Sequence, residues 1–114
     1  MPQVTLTNAN QNYALLTLLY GASGAVGTNL NTQGKENCAE LTFRSDPTNA
    51  ASKIYIGDGS MTGGPPPTQF DIGPLSPGDS YKLGNAVANT ISLVSKFIRS
   101  DTAAVKVDVI IVYA

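Results

Sequence analysis

The stretch Ala39-Glu40-Leu41-Thr42-Phe43-Arg44 decides the fold. Ala39, Leu41 and Phe43 fall on one side of an extended chain and Glu40, Thr42 and Arg44 on the other, the period of two that marks a half-buried antiparallel strand. On a helix the same residues would spread around the axis and leave no apolar stripe. The C-terminal run obeys the same rule, with Val105, Val107, Val109, Ile111 and Tyr113 on one face. Its other face changes from Lys106 and Asp108 to Ile110 and Val112, which predicts that the last part of this strand is buried on both sides.

Working outward, six shorter runs have strand composition: 4–6, 53–56, 69–72, 80–83, 90–93 and 96–99. With the two above they make about eight strands. The segment from Asn12 to Tyr20 carries Leu15, Leu16, Leu18 and Leu19 and fits either a short helix or a strand covered on both faces; strand is the preferred reading. Between these runs stand dense clusters of Gly, Pro, Asn and Asp, such as Ser45-Asp46-Pro47, Gly57-Asp58-Gly59, Pro77-Gly78-Asp79 and Gly84-Asn85, which turn the chain for residue-specific reasons. Many short strands with no long helix predict an all-β, single-domain antiparallel β-sandwich over residues 1–114, jelly-roll-like in arrangement. A chain of 114 residues buries roughly 65% of its extended surface on folding, enough for one core without staples.

Two long loops are expected, at 20–37 and 57–68. The second contains Gly63-Gly64-Pro65-Pro66-Pro67. Three successive prolines favour an extended polyproline conformation with little entropy left to lose, which suits this loop to contact with a partner. A stiff surface spacer accounts for the same residues equally well.

The chemistry the chain lacks narrows its function. There is no histidine, so the commonest general base and transition-metal ligand is missing and Ser–His or Cys–His nucleophiles are excluded. Cys38 is the lone cysteine; it cannot form an intrachain disulfide or supply a zinc site, and its apolar setting reads as a small buried hydrophobe. Asp46, Asp58, Asp71, Asp79 and Asp101 are the candidate carboxylates, and they are read as shaping turns, which aspartate beside Gly, Pro or Ser does more often than it catalyses. Gly57-Asp58-Gly59-Ser60 lacks the acidic series of a calcium loop. Gly21-Ala-Ser-Gly-Ala-Val-Gly27 lacks the Lys-Ser/Thr ending of a phosphate-binding loop. No catalytic, cofactor-binding or metal residues are therefore expected, and no enzyme.

Charged residues make up 13% of the chain and net charge is −1, about half the usual share of charge, as suits a surface that meets other protein. The seven basic residues are scattered, which argues against nucleic acid. No apolar run approaches the roughly 18–20 residues that span a bilayer. Met1-Pro2-Gln3-Val4 opens without the basic and apolar regions of a secretory signal, so synthesis in the cytoplasm is expected.

The order of three motifs, Leu41-Thr-Phe-Arg-Ser-Asp-Pro47, Ser52-Lys-Ile-Tyr-Ile-Gly-Asp-Gly-Ser60 and Leu75-Ser-Pro-Gly-Asp-Ser-Tyr81, resembles a broad group of small structural proteins of tailed bacteriophages. The opening Val4-Thr-Leu-Thr-Asn-Ala-Asn10, the segment Leu93 to Ala103 and the closing strand extend the resemblance over most of the chain. The proline insertion at Gly63 to Pro67 departs from the group, which has Ser, Thr and Asn there. What the resemblance implies is a non-enzymatic jelly-roll virion component, a capsid decoration or cement protein on the capsid exterior, assembled in the host cytoplasm. Its implied partners are the major capsid protein or another virion protein and further copies of itself, a trimer before a dimer. The alternative is a carbohydrate- or receptor-binding module of a head fibre or tail.

Overall fold

A computed structural model describes residues 3–20, 37–84 and 87–114, with Tyr20 described in its backbone only. The elements in chain order are β1 (Gln3–Leu6), β2 (Tyr13–Ala14), α1 (Leu15–Tyr20), β3 (Asn37–Cys38), β4 (Glu40–Ser45), β5 (Ile54–Thr62), β6 (Thr68–Leu75), β7 (Ser80–Gly84), β8 (Ile91–Ser92), β9 (Phe97–Ser100) and β10 (Val105–Val112). The expected loop at 20–37 lies, apart from its ends, outside the described residues.

Eight of the strands form two four-stranded antiparallel sheets, ordered β1-β10-β4-β7 and β2-β9-β5-β6. Numbered among themselves along the chain, these eight strands run 1-8-3-6 in one sheet and 2-7-4-5 in the other. Successive strands thus cross repeatedly between sheets, and the first and last lie side by side, which is the double Greek key of a jelly roll. The remaining pair, β3 with β8, forms a separate two-stranded ladder.

The alternation in β4 does what the sequence requires of it. Leu41, Phe43 and Ser45 are fully buried while Glu40, Thr42 and Arg44 are half-exposed. β4 lies between β10, with Phe43 opposite Val109, and β7, with Phe43 opposite Tyr81. Both sheets feed one core: Val4 and Leu6 from β1, Leu41 and Phe43 from β4, Val105, Val107 and Val109 from β10, met by Ile54 and Ile56 from β5, Ile72 and Leu75 from β6 and Ile98 from β9.

Several expectations are corrected. Asn12 to Tyr20 is not a strand throughout: β2 has two residues and α1 follows. Leu15, Leu18 and Leu19 stand at i, i+3 and i+4, so one helical face reaches the core, with Leu15 fully buried. The end of β10 is not buried on both sides, since Ile110 is half-buried and Val112 is 38% exposed. On this outer face Asp108 is the buried residue of β10 among those described, closed over by Gln3 and Arg44.

The loop expected at 57–68 is also shorter than that. β5 continues to Thr62 and β6 begins at Thr68, so only residues 63–67 connect them. Gly57 and Gly59 keep negative or extended φ and do not turn the chain. A Cβ on Gly57 would lie 3.1 Å from the Gln69 carbonyl oxygen and 3.3 Å from the Met61 side chain, so this glycine serves a close approach within an irregularly registered hairpin. Pro74 lies within β6, an edge strand, where proline is tolerated.

Candidate functional site

The hairpin of β5 and β6 closes where Thr62 pairs with Thr68, their hydroxyls 2.9 Å apart. Residues 63–67 must reverse the chain between two adjacent strands, so Pro65-Pro66-Pro67 cannot lie in the extended polyproline rod expected of them. Gly63 and Gly64 enter the reversal with φ of 70° and 101°, and a Cβ on Gly64 would sit 2.6 Å from the Pro66 carbonyl carbon. Glycine is required at Gly64 on both counts. Gly63, Gly64, Pro65 and Pro66 are exposed and Pro67 is buried.

The hairpin leans on the outer face of its own sheet. In the regular β5–β9 register Tyr55 stands opposite Arg99, and residues opposite each other share a face. Tyr55 is 4% exposed and its ring meets Phe70 edge-on at 5.1 Å. Met61 is buried beside Gly57. Tyr55 with Phe70, and Met61 beside Gly57, thus form a small apolar layer outside the main core cluster.

Arg99 is the brace of this layer. It is 7% exposed, and Nη1 donates to Asn12 Oδ1 at 3.0 Å and to the Met61 carbonyl at 3.2 Å, while Nη2 donates to the Gly63 carbonyl at 2.8 Å. Asn12 Nδ2 donates to the carbonyls of Gly59 at 3.2 Å and Met61 at 2.8 Å. Two side chains from β9 and from the segment before β2 therefore hold the carbonyls of Gly59, Met61 and Gly63 at the root of the tip. Among the described residues the ion pairs are Arg44 with Asp108 and Lys82 with Glu40; Arg99 has no carboxylate partner among them, and its Nε is buried without a hydrogen bond to them. Neither Arg99 nor Asn12 stood out in the sequence. Their partners lie 36 to 87 positions away, and no local pattern carries such a contact.

Four of the five aspartates expected to shape turns bond to backbone N–H groups, and the fifth, Asp71, lies within strand β6 instead. Asp46 accepts from Thr48, Asp58 from Ser60, Asp79 from Ser76 and Asp101 from Lys53. The hydroxyl and N–H of Thr48 hold the Asp46 carboxyl below its ordinary range, and those of Ser60 do the same for Asp58. Asp71 is exposed on β6. Cys38 is buried, and burial pushes its thiol upward. Beyond the opposite end of β5 a cleft of about 380 Å³ opens between the β4–β5 and β9–β10 connections. Its Asn49 and Ser52 side chains are engaged in bonds within the protein, and Lys106 stands on its wall. Among the described residues no group of three potential metal ligands comes together, and no helix is long and apolar enough to cross a membrane.

No protein-family model, curated protein or solved structure matches the chain.

Proposed function

We propose that the chain is a non-enzymatic structural subunit of a bacteriophage virion, a capsid decoration or cement protein seated on the exterior of the major capsid protein lattice. The observation that carries this reading is the tip at Gly63 to Pro67, exposed, free of charged side chains and held from beneath by Arg99 and Asn12. A catalytic site gathers reactive groups into a concavity. Here the gathered polar groups brace a projection instead, and a preformed projection loses little entropy when it docks. The jelly-roll strand order and the succession of phage-like motifs support the same reading. A self-associating subunit, trimer before dimer, would multiply the avidity of each weak contact. The carbohydrate-binding alternative gains less support, because sugars stack on open rings and Tyr81, at 46% exposure, is the most exposed ring among the described side chains.

The test uses particles of the phage that encodes the chain, grown with the gene deleted. Adding the purified protein is expected to raise the temperature at which the particles release their DNA. Release at an unchanged temperature, at saturating protein, would count against the cement role.

A further inference from the structure

The same braces that hold the tip also decide which groups it turns outward. The Gly63 carbonyl is held toward Arg99 Nη2 at 2.8 Å. The Gly63–Gly64 peptide is trans, and in a trans peptide the N–H points opposite to the carbonyl. The Gly64 N–H therefore faces away from the guanidinium, and it donates to no backbone group among the described residues. Pro65, Pro66 and Pro67 have no N–H to offer.

Electrostatics favours one kind of acceptor there. Arg99 is buried beneath the tip and makes no ion pair among the described residues, and a charge in such a medium is screened far less than one in water. Its attraction for the Gly63 carbonyl aligns that peptide so that the positive end of its dipole points outward. The carboxylates of the hairpin, Asp58 and Asp71, stand in its strands rather than at its tip, and Asp58 is held by Ser60. The exposed face of the tip thus combines one free, positively poised donor with two apolar rings.

We infer that the Gly63–Pro66 tip docks on a protein surface that presents a carboxylate to the Gly64 N–H, with the Pro65 and Pro66 rings against its apolar flank. This rests on the reading of the chain as a virion subunit, which makes the partner's carboxylate a side chain of the capsid lattice.

The experiment measures binding of the purified chain to gene-deleted particles. One batch has its surface carboxylates converted to amides with a carbodiimide and glycinamide, and a mock-treated batch serves as the reference. Amidation is expected to weaken binding by about tenfold or more, the scale of one lost hydrogen bond to a charged group. Joint Pro65→Ser and Pro66→Ser substitution is expected to weaken binding to mock-treated particles by a similar factor while the melting temperature holds. Arg99→Gln should weaken binding and flatten its dependence on salt. If the wild-type chain binds both batches equally, or the double proline variant binds as the wild type does, the docking inference fails while the virion reading stands. If the wild-type chain binds neither batch, both fail.

Discussion

Replacing Phe43 with alanine is expected to remove about 3–5 kcal/mol of folding stability, the cost of deleting a fully buried aromatic ring and leaving part of its volume empty. Small domains have about 5–15 kcal/mol in total, so this variant should unfold at a much lower denaturant concentration or fail to accumulate folded. The position explains the size of the effect. Phe43 is completely buried, on a strand that has neighbours on both sides, and its ring side faces the residues contributed by the opposite sheet. Thr42, one residue away on the outer face and half-exposed, provides the contrast: Thr42→Ala should change stability by less than about 1 kcal/mol. Urea titrations of the two variants check both values. A Phe43→Ala loss no larger than that of Thr42→Ala would show that β4 does not have the facing assigned to it.

Arg99→Met should act differently, by loosening the hairpin more than the molecule. Methionine keeps much of the apolar stem but donates nothing, so the Gly63 carbonyl and Asn12 Oδ1 lose the Arg99 donor, and the Met61 carbonyl is left with Asn12 Nδ2. Acceptors left without partners cost about 1–3 kcal/mol each when buried. Two of these three contacts are part-buried, where water can substitute, so the expected global loss is about 2 kcal/mol. Amide hydrogen exchange should localise the change: the amides of Met61, Thr62 and Thr68, at the root of the tip, exchange faster while β4 and β10 keep their protection. Arg99→Lys retains the charge but offers one compact ammonium in place of a planar fork, and it should restore only part of the protection. Wild-type exchange rates at Met61, Thr62 and Thr68 in Arg99→Met would show that Arg99 does not brace the hairpin.

These two residues also mark what the sequence makes legible. Phe43 is readable because the facing of a strand residue is written in its immediate neighbours, Leu41 two positions before and the polar Thr42 and Arg44 beside it. The same short-range grammar places β1, β7, β9 and β10 and implies a sandwich. It misleads where one residue type has two uses. Gly57 and Gly59 read as turn formers, yet Gly57 permits close approach within a continuing strand, which shortens the expected loop to five residues between Thr62 and Thr68. Leu15 to Leu19 satisfies both periods at once, and only a core that takes one face of the segment selects the helix. The tip was visible from its prolines and glycines, whereas its folded-back shape depends on Arg99, Asn12 and the pairing of the flanking threonines, none of which is local. The pairing of β1 with β10 joins residues as far apart as Gln3 and Asp108, and this ordering of strands is what turns a sandwich into a jelly roll.

The proposed role in a virion is tested most directly by quantitative mass spectrometry of purified particles. The chain is expected in virions of the phage that encodes it, in a fixed ratio to the major capsid protein that persists through gradient purification. Its absence from purified virions, in infections where the chain is abundant in the lysate, would contradict the claim.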